Sequence, residues 1–288
     1  MKWEDFRQSD RLEDRRGMRR VPGGRGGLGL GTIVILGLIG YALGIDPRVL
    51  IGGAEMMAGR GGGTAQQAPA SAGPPKDEAG RFVSAVLAQT EDVWTQVFRD
   101  RLKAQYNKPR LVLFDGSTTS ACGAAQRATG PFYCPLDTTV YLDLGFFADM
   151  QRQFGTKFDD FSIAYVIAHE IGHHVQHVVG TLDKARGVQS QVGQREGNKV
   201  QVAVELQADC YAGVWAHNAE QRFRILEPGD VEEAIRAAAA VGDDRLQKAT
   251  QGHVVPDSFT HGSSQQRVDW FMTGLKSGDP RACNTFAG

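Results

Sequence analysis

Two histidines four residues apart, His169 and His173, frame Glu170 in the run Ala168-His169-Glu170-Ile171-Gly172-His173. On an α-helix that spacing brings both rings to one face, where they can converge on one ion. Neutral imidazole is a good zinc ligand. A carboxylate beside the first histidine can take a proton from a water that the metal acidifies. The pattern also arises by chance in ordinary helices. Its context argues against chance, because the mostly apolar run from Phe161 to Ile167 leads straight into it. A helix of that kind is predicted to be buried. Buried histidines and a buried glutamate are costly unless a metal or hydrogen bonds satisfy them.

A second apolar helix is predicted over residues 200–215, with Glu205 and Asp209 one turn apart on one face. Glu205 would complete a His-His-Glu set and leave a fourth position for water. Asp209 would accept the outer ring N–H of a ligand histidine and fix its tautomer. His177 lies eight residues beyond His169. That is roughly 12 Å along a helix axis, too far for both to hold one ion. His174 and His177 are therefore expected in water or in supporting hydrogen bonds. Near the carboxyl end, His261 precedes a helix that Ser263 or Ser264 can cap. His261 is expected either to donate a hydrogen bond to a developing oxyanion, or to bind the metal as a fourth ligand and keep the site latent. Arg267, about two turns on, is expected to pair with Asp209 or Glu205. Asp243 and Asp244 lack the ligand spacing of a calcium loop.

The elements that must position these groups can be sketched. A scaffold helix is predicted over 81–106, a strand over 109–114 and a second strand over Thr138 to Leu144. The second strand precedes the histidine helix. At a sheet edge it could hold an extended peptide beside the metal; in the sheet interior it could not. Residues 183–199, polar with three glycines, are expected to form a flexible connection, and 231–241 an Ala-rich helix.

The chain has 288 residues, 41% of them hydrophobic, and a net charge of −1, so no charge imbalance points to nucleic acid. Residues 1–25 form a polar, Arg-rich leader, expected to be a cytoplasmic tail. Residues 26–45 are apolar and uncharged, as a transmembrane helix, expected over 26–46, requires. The positive flank predicts an amino terminus in the cytoplasm. A cleaved signal peptide fits less well, because the leader is long. Residues 47–80 are a Gly/Pro/Ala-rich linker, and residues 81–288 are expected to fold beyond the cytoplasmic membrane. There the four cysteines favour disulfides. Three connectivities are open; Cys122–Cys134 with Cys210–Cys283 is the most economical. No C-x-x-C supports a cysteine-bound metal.

Taken together, these motifs resemble the bacterial neutral zinc metallopeptidase (YpfJ-like) family over nearly the whole length. The resemblance rests on Ser9-Asp10 and Glu13 to Arg16, the apolar span, Ala121-Cys122-Gly123, Gly130 to Pro135, His169 to His173, Glu205 to Gly213, and His261 to Ser264 with Arg267. More distantly, the chain is similar to compact gluzincins such as HtpX and the CAAX prenyl endopeptidases. Those carry a His-Pro pair where this chain has His261-Gly262. The resemblance implies an α+β, mainly helical zincin-like (minigluzincin) domain with a small antiparallel-type sheet. It also implies peptidase chemistry on a polypeptide that it does not identify. The expectation is a single-pass, membrane-anchored endopeptidase with one Zn2+ held by His169, His173 and Glu205, and with Glu170 as base. Two alternatives are an inactive zinc-bound interaction protein of the same fold and a metal-free helical domain.

Overall fold

The structure is a computed structural model that describes residues 1–17, 75–155 and 157–287. Strand β1 (Leu12–Asp14) is followed by helix α1 (Glu78–Val97). Asp77 caps α1 by accepting from the Gly80 N–H, and one π-helical turn, Phe98–Leu102, ends it. Next come β2 (Arg110–Leu113), the hairpin β3 (Ser117–Ser120) and β4 (Gly123–Gln126), then β5 (Phe132–Cys134) and β6 (Thr139–Leu142). The rest is helical: α2 (Gly145–Phe154), α3 (Asp160–Val178), α4 (Thr181–Gln189), α5 (Gln194–Phe223), α6 (Asp230–Ala240), α7 (Asp243–Gln251) and α8 (Ser264–Ser277). The expected α+β, mainly helical class is what the chain adopts.

The main sheet runs β1-β2-β6-β5. It is mixed rather than antiparallel. β1, β2 and β6 are mutually parallel, and only β5 runs against its neighbour. Parallel pairing needs a long crossover, and α1 lies within the one between β1 and β2. The expected strand at Thr138 to Leu144 appears as β6, buried between β2 and β5. The edge position beside the histidine helix falls to β5.

α5 is the central element. Every residue from Val204 to Ala216 is buried. α3 packs on one side of it, and α8 lies against another. Both approaches are close. A Cβ on Gly172 would lie 2.9 Å from the Ala208 carbonyl oxygen, and one on Gly274 would lie 1.9 Å from that of Cys210. These glycines let three helix backbones draw together around the histidines, Glu205 and Asp209. Both expected disulfides form, Cys122–Cys134 and Cys210–Cys283, and no cysteine is free. The region 183–199 is mostly helical, in α4 and the start of α5, rather than a flexible connection. Gly187 and Gly197 face open space there, so their cost is propensity alone, about 1 kcal/mol each.

The amino-terminal residues require a correction. Leu12, Glu13 and Asp14 pair in register with Leu111, Val112 and Leu113. Met1 and Trp3 lie in the same hydrophobic core as Phe82, Phe161 and Trp215. The Trp3 indole donates to Asp160 at 3.2 Å. Three of the arginines that looked like a cytoplasmic flank are ion-paired: Arg7 with Glu91 and Asp92, Arg15 with Glu13, and Arg16 with Asp14 and Asp77. Residues 1–17 and the helices that carry the histidines and Glu205 are thus one folded body. A chain crossing a bilayer once between them would hold them on opposite sides. The expected single-pass arrangement, with a cytoplasmic tail and an extracytoplasmic domain, is overturned. Among the described residues, no helix is long and apolar enough to cross a membrane. The expected span at 26–46 lies outside the described residues, as does most of the expected linker.

Candidate metal centre

His169 and His173 project from α3 toward Glu205 on α5. Glu205 Oε2 lies 3.2 Å from His169 Nε2 and 3.5 Å from His173 Nε2. Ligands bound at 2.0–2.1 Å around a tetrahedral ion stand roughly 3.3 Å from one another, so this spacing suits zinc. These three residues group as possible metal ligands, with one donor atom from each lying within 4.8 Å of the others.

The outer nitrogens decide whether the inner ones are available. His169 Nδ1 lies 2.8 Å from Asp209 Oδ1. A carboxylate accepts, so in the neutral ring the proton sits on Nδ1 and Nε2 keeps its lone pair. Asp209 is fully buried. It accepts from the Tyr165 hydroxyl at 2.5 Å and from Arg267 Nε and Nη2 at 2.8 and 2.9 Å. Burial opposes its charge, but Arg267 and His169 outweigh that and hold its pKa at about 2. Burial likewise works against charge on His169, yet Asp209 raises that ring to about 9. Burial works against the Glu205 carboxylate too, and His173 and His169 more than compensate, leaving it well below the usual range. Arg267 thus pairs with Asp209, the first of its two expected partners. Tyr165, one turn before His169, was legible only as another apolar-side residue of the helix.

Glu170 is buried at 7% exposure and lines the same cleft as the three donors. Its carboxylate has no hydrogen-bond or ion-pair partner among the described residues. The cleft encloses about 560 Å³. It is lined by β5 and the Gly130-Pro131 approach, by Phe146, Met150 and Phe158, and by Leu182 and Ala185 of α4.

Residues 1–286 match the family described as "Putative neutral zinc metallopeptidase". The chain belongs to this family. It is 48% identical to the uncharacterized protein YpfJ of Escherichia coli K12 over a 296-residue alignment covering 99% of both chains. It is 43% identical to the uncharacterized protein Mb2605 of Mycobacterium bovis over 220 residues, 73% of each. No solved structure matches it. The family description names zinc, and two imidazoles with one carboxylate are a donor set that zinc accepts.

His261 also reaches this family member's cleft, from the loop before α8. Asp243, buried at 1% exposure, shapes that loop. Its Oδ2 accepts from the backbone N–H groups of Thr260, His261 and Gly262, at 2.7, 2.6 and 3.1 Å. Its Oδ1 lies 3.2 Å from His261 Nδ1. Asp244 in turn accepts from the Ser264 N–H and hydroxyl. The pair that looked like a failed calcium loop therefore anchors the histidine loop. Ser263 caps α8 in a reciprocal box with Gln266. His174 and His177 lie outside the donor group. His174, pushed down to about 4 by burial, bonds the Asn107 carbonyl and the Tyr133 hydroxyl, and His177 bonds the same hydroxyl. Together they tie α3 to the edge strand β5.

Proposed function

We propose that this protein is a zinc-dependent endopeptidase with His169, His173 and Glu205 as ligands of one zinc ion and Glu170 as general base. One observation carries the reading: Glu170 is buried beside three converging donors, faces the cleft, and is committed to no other group among the described residues. Bound there, zinc supplies Lewis acidity, making water nucleophilic at neutral pH and polarising a carbonyl. Glu170 takes the proton from the attacking water and delivers it to the leaving amine. Asp209 keeps His169 in the ligating tautomer, and Arg267 and Tyr165 keep Asp209 charged and oriented. β5, the edge strand of the sheet at the cleft, is suited to align an extended peptide by main-chain hydrogen bonds. The aromatic wall of Phe146 and Phe158 with Met150 favours a large apolar side chain next to the scissile bond.

The test uses the full chain. Metal analysis should give about one zinc per chain, and a library of internally quenched peptides should be cleaved. His173→Ala should lose the metal and the activity together. Full zinc in the His173→Ala variant would defeat the ligand assignment. A zinc-loaded chain that cleaves no peptide would favour the inactive interaction protein.

His261 belongs to the same proposal as donor to the developing oxyanion. Asp243 holds its Nδ1, which leaves Nε2 as the group for substrate. His261→Ala should lower kcat by roughly 10² or more with zinc retained. A rise in activity would instead identify a latch, and an unchanged rate would remove His261 from the mechanism.

A further inference from the structure

His173, unlike His169, has no carboxylate behind it. Its Nδ1 lies 2.9 Å from Gln176 Oε1. Gln176 is fully buried. Its Nε2 donates to the Val204 carbonyl at 2.7 Å and to Gln207 Oε1 at 3.1 Å. Gln207, also buried, donates from Nε2 to the Cys283 carbonyl at 2.8 Å. The chain of bonds is polar in one direction only. A main-chain carbonyl can only accept. The Cys283 carbonyl therefore takes the amide end of Gln207, whose oxygen faces Gln176. The Val204 carbonyl likewise takes the amide end of Gln176, whose oxygen faces His173. That leaves the His173 proton on Nδ1 and its Nε2 lone pair free toward the donor group. Cys283 is cross-linked to Cys210 in the middle of α5, one residue beyond Asp209. Thr285, two residues further, bonds the Ala203 carbonyl. The carboxyl-terminal segment is thus clamped to the ligand helix at the point where this chain of amides ends.

We infer that Gln176 and Gln207 are positioning residues of the metal centre, and that the Cys210–Cys283 disulfide tightens metal binding by fixing the carbonyl on which they terminate. The inference rests on the proposed His-His-Glu site. Groups that hold the outer nitrogen of a ligand histidine change metal affinity by roughly 10- to 100-fold when removed. Gln176→Leu, which leaves Nδ1 without an acceptor, should fall in that range. Gln207→Met and the pair Cys210→Ala/Cys283→Ala act further out and should each weaken zinc several-fold. All three act through one chain, so their effects should not add. Gln207→Met should do little in the background of the cysteine pair.

The measurement is the zinc dissociation constant of the full, metal-stripped chain in competition with a chromophoric chelator. The urea midpoint of the metal-free protein is recorded beside it. A purely structural role would lower the urea midpoint and leave the zinc constant of the folded protein unchanged, and that outcome overturns the inference. Zinc constants for Gln176→Leu and Gln207→Met within twofold of the unmodified chain overturn it too, as do fully additive effects. Should the cysteine pair fail to fold, the cycle of Gln176→Leu with Gln207→Met decides alone. An unmodified chain that takes up no zinc defeats the metal assignment instead, which is a separate result.

Discussion

Glu170→Gln should lower kcat/KM by roughly 10³-fold while zinc stays bound, which lies within the range that a general base supplies. The substitution keeps the shape of the side chain and removes only its ability to take and return a proton. Glu170 contributes no ligand to the His169, His173 and Glu205 group, so the metal content should not fall. It holds no hydrogen bond or ion pair among the described residues, so the fold should not weaken either. The side chain is buried in the wall of the cleft. Among the described residues, no other carboxylate lines that cleft except Glu205, already spent on the metal group. No other carboxylate there can replace it as base. The readouts are initial rates on a cleaved reporter peptide and zinc per chain by emission spectroscopy. A Glu170→Gln protein that turns over within threefold of the unmodified chain would remove Glu170 from the proton transfer. Loss of zinc from the same variant would give Glu170 a structural role instead.

What was legible in the sequence and what was not divide by range. His169, Glu170 and His173, and the Glu205 to Asp209 spacing, follow from helical periodicity, which is local and survives any tertiary arrangement. The Ser263 cap is equally local. The disulfide pairing could be ranked by economy but was decided by the fold. β1 was invisible because three residues, Leu-Glu-Asp, carry no strand pattern of their own, and their partner strand lies far along the chain. Arg7, Arg15 and Arg16 around β1 then read as part of a free basic leader, although their charges are met by Glu91, Asp92, Glu13, Asp14 and Asp77. That misplacement set the expected orientation, while the span itself was read from the apolar run at 26–45. β5 was hidden for a related reason: its three residues sit in a Gly- and Pro-rich stretch that looked like loop. The edge role was therefore weighed for the longer, β-branched run at β6. Asp243, Gln176 and Gln201 act through hydrogen bonds across elements. Gln201, for example, accepts from Gln189 of α4 at 3.2 Å while donating within α5 to Glu205 Oε1 at 2.9 Å. A buried amide has no signature in a single sequence.

Arg267→Met should destabilise the metal-free protein by about 3–5 kcal/mol, the usual cost of leaving one partner of a buried ion pair alone. Arg267 is 3% exposed and Asp209 is fully buried, so water cannot take over the lost contacts. The guanidinium meets both carboxylate oxygens, and after its removal only Tyr165 and His169 remain to bond Asp209. The acid limb of stability should move as well. The folded value of Asp209, about 2, lies below its ordinary 3.8. A depressed carboxylate contributes stability above its ordinary value and loses it as the pH falls through the folded value. Removing Arg267 raises the folded value, so less of this contribution is present at neutral pH. Adding Asp209→Asn to Arg267→Met removes the stranded charge and should recover part of the stability. It should not recover zinc. The amide of an asparagine can turn its N–H₂ toward His169 Nδ1, which would move the ring proton to Nε2 and block the ligating lone pair. Urea unfolding at neutral pH and zinc competition, run on both variants, separate the two functions of the pair. A loss below about 1 kcal/mol in Arg267→Met would put the ion pair among those that contribute little. Full zinc affinity in the doubly substituted chain would show that Asp209 does not set the His169 tautomer.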